Sequence, residues 1–446
     1  MLLGRFFILF LAYMLLFCIE DKFLEAYYAI FLSLLTSLLF FKVAFKSKNN
    51  LYSPVSLFIN VYNLYVVFGV VMWLYREKFF FNWDGDFFTI LQIYLFTSLF
   101  ITTWGYLQIE KNGSIEEPEV AFSTLKIKPF VFFLLLTLEY VGIFLYTAGF
   151  KIIPLLQEDI DASRFELNDI ERPGAGVSVI FIYCGIFCII HSFFIIKSFT
   201  LKILCIIVSY IPFLLYGGRL MMIIPLIVCL ILRTVRKRII LNKKILISIL
   251  FFLVFFFFVL MFYGTFRQQG ENTDVEFLLN YASSDLFPEL RGSMASYLLN
   301  KKDLTFPYIS YILSMMLPGS IATIIGIDKS EQISIGSYIA DLLGFEGFGI
   351  RTSITGELIL TNPLSYVLFW IGILYILRQI NNLYINEKIW GSDKVICLFV
   401  GVYFVTLIPY GINSSPNIIV ITIFMIFIKK FIYKRKKHDI LGRYYR

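Results

Sequence analysis

Twelve apolar stretches follow one another along this chain, near residues 2–19, 26–45, 51–74, 87–107, 129–148, 177–196, 199–217, 219–232, 245–263, 356–377, 395–412 and 416–432. A helix needs about 20 mostly apolar residues to cross a bilayer, and no water is present there to satisfy an exposed backbone N–H or C=O. The pattern therefore predicts an all-α polytopic membrane protein of about 12 transmembrane helices, with residues 1–446 forming a single integral membrane domain. Composition agrees, because 59% hydrophobic residues and 16% charge exclude a water-soluble globule.

Orientation follows from the loops, since short cytoplasmic connections retain lysine and arginine. With a cytoplasmic N-terminus, inner segments carry 26 of the 39 Lys and Arg residues, and outer segments carry 23 of the 31 Asp and Glu residues. Both termini are then cytoplasmic, and the net charge of +8 reflects topology rather than nucleic-acid binding. Residues Lys434 to Lys437 read as a cytoplasmic stop signal. Arg5 precedes an apolar run with no small-residue cleavage site after it, so residues 2–19 read as a retained first helix. All six cysteines fall in the expected spans, which gives no exported disulfide framework, and Cys184 and Cys188 at i, i+4 read as packing residues.

Two outer loops stand out. Residues 264–355, between spans nine and ten, form a large, helical outer loop. Within it, 308–327 is long enough to cross, but a crossing would put the basic C-terminus outside. It reads instead as an interfacial or re-entrant segment interrupted at Pro318-Gly319. The other loop, 149–176, contains a capping box, Ser163 with Glu166, that starts a short helix bearing Arg164, Asn168 and Arg172 along one side and ending at Pro173-Gly174. No internal repeat is evident.

Arg219, Arg267, Arg291 and Arg351 lie at outer span ends or in the long loop. A guanidinium presents five donors in a planar fork that grips phosphate bidentately and stays charged when partly desolvated. Arg219 follows Gly217-Gly218 and is flanked by Pro212 and Pro225, each able to interrupt its helix, which implies an outward cavity with a cationic floor. Glu357 and Glu289, close in sequence to Arg351 and Arg291, are candidate bases or substrate anchors, or simple ion-pair partners. Glu139, inside span five, reads as the partner of a neighbouring hydroxyl or arginine in preference to a proton relay. Two Asp-x-Asp sequences, at Asp84 and Asp86 and at Asp159 and Asp161, are the sites a divalent ion would use if one were needed.

The twelve spans, the long loop before span ten, the Gly217-Gly218-Arg219 turn opening span eight, Arg267 just after span nine, and the Gly-x-Gly-x-x-x-Ser-x-x-x-Glu run from Gly347 to Glu357 together resemble the Wzy oligosaccharide repeat-unit polymerases of bacterial surface polysaccharides. The chain departs from the Arg-x10-Gly spacing of some members: from Arg164, Gly174 and Gly176 have nine and eleven residues between. That leaves the roles of Arg164 and Arg172 open. The resemblance implies a GT-C-like fold and a metal-independent, cofactor-free, inverting glycosyl transfer at the outer leaflet of the plasma membrane, as in O-antigen or capsule synthesis. It implies undecaprenyl-pyrophosphate-linked oligosaccharide as substrate, with a flippase and a Wzz-like chain-length regulator as partners. Arg219 and Arg267, then Arg291 and Arg351, would hold the departing pyrophosphate, and Glu289 or Glu357 would take the acceptor proton. Tyr281, Tyr297, Tyr308, Tyr311 and Tyr338 offer flat faces for sugars. The competing readings are a flippase for the same lipid-linked oligosaccharide, an O-antigen ligase, which the lack of a histidine in the long loop disfavours, and a secondary transporter, disfavoured by the missing repeats.

Overall fold

A computed structural model describes residues 9–19, 21–46, 53–75, 84–111, 126–157, 167, 175–217, 219–237, 290–301, 311, 335–342, 352–385, 391–411, 422, 426 and 427. The described chain is helical, with no strand among the described residues. A first helical segment at 9–14 closes in a 3-10 turn, Leu15–Cys18. It is followed by α1 (Lys22–Lys46), α2 (Pro54–Tyr75), α3 (Asp84–Lys111), α4 (Pro129–Tyr146), α5 (Ala175–Ile182), α6 (Gly185–Phe194), α7 (Phe199–Leu215), α8 (Arg219–Lys237), α9 (Leu290–Lys301), α10 (Ile335–Leu342), α11 (Ile354–Ile359), α12 (Pro363–Ile385) and α13 (Gly391–Tyr410).

Among the described residues, six helical stretches are long and apolar enough to cross a membrane: Leu24–Ala44, Pro54–Val71, Phe88–Ile109, Pro129–Tyr146, Val177–Phe194 and Pro363–Ile385. Phe199–Leu215, Ile224–Arg233 and Lys394–Ile408 are shorter apolar helices. The chain is thus an all-α, multi-pass membrane protein. Its outer surface agrees: Phe130, Phe133, Phe199, Leu38, Leu364 and Leu368 are exposed, a cost in water but none in lipid. Expected spans nine and twelve fall on residues largely outside those described, as do the 308–327 segment, save Tyr311, and the short helix bearing Arg164 and Arg172. From that last helix only Leu167 is described, and it is helical and buried.

Lipid offers little hydrophobic drive between helices, so close packing and interhelical hydrogen bonds hold the bundle. Asn63 on α2 shows both: its carbonyl oxygen accepts from Ser98 on α3, and its amide donates to Thr102 at 3.3 Å. Tyr13 pairs with Thr36 at 2.9 Å, and Ser37 donates to Asn60 at 3.2 Å. Where α4 crosses α5, Gly142 lies so near that an added Cβ would sit 2.7 Å from the Ser178 carbonyl oxygen.

Three expectations need correction. Expected span six is present at Val177–Phe194 but as two helices, α5 and α6, joined through Tyr183 and Cys184 by 3-10-type bonds such as Cys184 N–H to the Phe181 carbonyl at 3.0 Å. Cys184 and Cys188 therefore do not share one continuous helix. Second, α7 and α8 run as helices through Pro212 and Pro225 instead of breaking there. Pro212 has no N–H for the Val208 carbonyl, and the Tyr140 hydroxyl donates to that carbonyl instead, at 3.0 Å. Third, expected span ten begins too early. Residues 354–359 form the separate helix α11, which ends in a tight turn, with Thr361 N–H bonding the Leu358 carbonyl at 3.0 Å. Asn362 then starts α12 afresh, its side chain accepting from Ser365 N–H at 2.8 Å, with Pro363 in the first turn.

Candidate functional site

The site is built on α11, a six-residue helix every residue of which is buried. It forms because Ser353 caps it, the hydroxyl accepting from Gly356 N–H at 3.0 Å, and because α9, α12 and α13 close around it. The contact with α9 is tight: a Cβ on Gly356 would lie 3.1 Å from the Ser293 Cα. Gly292, Ser293, Ala295 and Ser296 of α9 are buried, and such small side chains allow two backbones to approach this closely.

Hydroxyls tie α11 to the bundle. The Tyr94 hydroxyl on α3 is within 2.7 Å of the Ser293 hydroxyl and also bonds Ser353, while Ser293 and Ser353 lie 3.4 Å apart. Tyr62 on α2 bonds Thr355 at 2.8 Å. Its ring stacks on Tyr94, with centroids 6.3 Å apart, and meets Trp370 edge-on at 5.7 Å. Beneath, Thr97 bonds Tyr366 at 2.6 Å, and Asn300 of α9 donates to the Ile359 carbonyl at 2.7 Å. Side chains of three helices, α2, α3 and α9, thus converge on one buried turn, and α12 joins the network through Tyr366. Such a network fixes a geometry because each unmade bond in it would cost about 1–3 kcal/mol.

Glu357 sits in the middle of α11 and is fully buried. Its carboxylate fills the space beside Gly411, just past α13, where an added Cβ would overlap it. Gly411 also has φ +64, so the position rejects side chains on two grounds. Tyr311, 4% exposed, stands near enough that the Glu357 charge acts on it. Burial chiefly, and then that charge, push the Tyr311 phenol above its ordinary value.

Of the residues singled out in the sequence, Glu357 is at the centre of this cluster. Arg291 is the second residue of α9, two positions before Ser293. Arg219 opens α8, two residues after the left-handed Gly217 at φ +72, and α8 packs on α13, the helix that leads to Gly411. Arg164, Arg172, Arg267, Glu289 and Arg351 lie outside the described residues. Arg351 precedes Ser353 in the sequence by two positions, as Arg291 precedes Ser293. Of the candidate tyrosines, Tyr311 is buried, Tyr297 and Tyr338 are half-buried, and Tyr281 and Tyr308 lie outside the described residues.

Comparison with known proteins finds no matching family model, no similar curated protein and no similar solved structure. The site therefore stands on its own chemistry. Among the described residues, no group of three or more His, Cys, Asp or Glu side chains is placed to hold a metal ion. Asp84 and Asp86 open α3, and Asp159 and Asp161 lie outside the described residues.

The reading from sequence missed Tyr62, Tyr94, Thr97, Ser293, Thr355 and Asn300. For Tyr62, Tyr94 and Thr97 the signal was there, in polar residues inside expected spans, which in lipid turn inward and bond to one another, whereas Ser293, Thr355 and Asn300 fall in the stretch read as a loop, where a polar residue carries no such signal.

Proposed function

We propose that the chain is a lipid-linked oligosaccharide polymerase: an inverting glycosyltransferase that joins undecaprenyl-pyrophosphate-linked repeat units at the outer leaflet of the bacterial plasma membrane. The reading includes twelve crossings in a GT-C-like arrangement with both termini in the cytoplasm. One observation carries it. A carboxylate, Glu357, is held rigidly on a buried short helix whose two serine anchors, Ser293 and Ser353, each follow an arginine by two residues.

Joining two sugars in this way needs a base for the acceptor hydroxyl and cations for the departing pyrophosphate. A positioned general base supplies typically about 10²–10⁴ in rate. Each preorganised donor aimed at developing charge supplies about 10²–10³. Glu357 takes the first role, and Arg291, Arg351, Arg219 and Arg267 the second. Glu289 is the other candidate base, and Arg164 and Arg172 would contact substrate from the 149–176 loop. No cofactor enters the reaction. A flippase for the same lipid would need a cationic path but no rigid carboxylate beside it, so the anchoring of Glu357 favours the polymerase.

Purified protein incubated with lipid-linked repeat units, with and without chelator, tests the reading. Polymerase activity gives a ladder of chain lengths under both conditions. Movement of single units across vesicle membranes without a ladder would instead identify a flippase.

A further inference from the structure

Glu139 lies midway along α4, wholly buried, and is not part of the α11 cluster. Neither carboxylate oxygen has a hydrogen-bond partner among the described residues. Its expected partner, a hydroxyl or an arginine, is not found there.

The carboxyl points into a notch at the break between α5 and α6. A Cβ on Gly185, the first residue of α6, would overlap it, so the absent side chain makes the room. It does not cap α6, whose first amides bond backward to the chain: Ile186 N–H to the Tyr183 carbonyl and Phe187 N–H to the Cys184 carbonyl, each at 3.2 Å.

The groups facing it from the helices packed on α4 are few. From α6 and its preceding turn come the thiols of Cys188 and Cys184, and each thiol is directed to a backbone carbonyl, of Phe132 at 3.7 Å and of Ile180 at 3.8 Å. Cys205 of α7 lies beyond Cys188. Tyr140, next along α4, spends its proton on Val208. His191 is further along α6, where its Nδ1 accepts from Ile127 N–H at 3.0 Å and its ring meets Phe132. No lysine or arginine among the described residues bonds the carboxylate.

An ionised carboxylate without a partner in an apolar medium costs several kcal/mol at least. Something must neutralise it. A metal ion is not favoured, because Glu139, Cys184 and Cys188 are not placed to hold one, and a hard cation wants about six oxygens. We infer that Glu139 is a proton-binding site within the membrane domain, carrying an exchangeable proton in the notch that Gly185 leaves at the α5–α6 break.

An apolar carbodiimide tests this on the intact protein in lipid nanodiscs, because dicyclohexylcarbodiimide reacts with the protonated acid. The carboxyl oxygen bonds to the central carbodiimide carbon as the acid proton passes to one nitrogen. The resulting O-acylisourea rearranges by acyl transfer to nitrogen, giving a stable N-acylurea with no leaving group. Peptide mass spectrometry should find the adduct on Glu139, forming at least tenfold more slowly as the pH is raised from 6 to 9, and equally in sodium and potassium salts. A water-soluble cationic carbodiimide should leave Glu139 unlabelled. Failure of the apolar reagent to label Glu139, or labelling that sodium suppresses at constant pH, would overturn the assignment. Thermal stability supplies a second arm: the wild type should lose stability at alkaline pH relative to Glu139→Gln, and identical pH profiles would count against the proposal.

Discussion

Removing the Tyr94 hydroxyl tests whether the α11 network is a single mechanical unit. Tyr94→Phe keeps the ring and its stacking on Tyr62, leaves no cavity, and deletes the bonds to Ser293 and Ser353. Each net hydrogen bond is worth about 0.5–1.5 kcal/mol. The two serines keep a 3.4 Å contact with each other, and Ser353 keeps its bond from Gly356 N–H, so little more is lost to unmet polar groups. The expected cost is about 1–3 kcal/mol. Ser353→Ala removes one of the same bonds and also the α11 cap, a loss of about 0.5–2 kcal/mol for the cap alone. Because both variants delete the Tyr94–Ser353 bond, the double variant should cost less than the sum of the single ones, with a coupling of about 1 kcal/mol or more. Equilibrium unfolding in mixed micelles of the four proteins gives this number. Additivity within about 0.5 kcal/mol would mean that the two side chains act independently, and the picture of a hub would fail.

Gly411→Ala should cut polymerisation far more than it cuts stability, because the new methyl displaces the Glu357 carboxylate at a residue whose φ already favours glycine; chain-length gels beside thermal unfolding compare the two. Arg219→Ala and Arg267→Ala should leave single lipid-linked units exported but unjoined, with initial rates down about 10²–10³, and full-length polymer in those variants would remove both from the site. Excess chelator should leave the rate within twofold of the untreated protein, whereas a tenfold loss restored by magnesium would return the Asp-x-Asp sequences to consideration.

The helices were largely legible, because lipid demands long apolar stretches and these have few alternative readings. Expected spans two to five correspond to α1 to α4 within a few residues, and span eleven to α13. The errors came where hydropathy continues through a change of backbone. Residues 177–196 read as one apolar stretch, yet Gly185 lets Glu139 enter and the chain turns at Tyr183 and Cys184. Residues 356–377 read as one span although Thr361-Asn362-Pro363 carries the marks of a helix start. Glu357 could be singled out because a carboxylate near a span end is costly. The surroundings of its helix could not, because Tyr62, Tyr94 and Ser293 are far from that helix along the chain and reach it only through packing. Pro212 shows the opposite error: its consequence in isolation is a broken helix, but a tyrosine from another helix supplies the missing donor.

The most direct test of the central claim is the initial rate at which purified protein joins lipid-linked repeat units, wild type against Glu357→Gln, in the presence of chelator. The exchange keeps the shape of the side chain and removes its basicity. The wild type should give a ladder, and Glu357→Gln a rate lower by about 10²–10⁴ with the protein still folded. A ladder of equal length and rate from Glu357→Gln would contradict it.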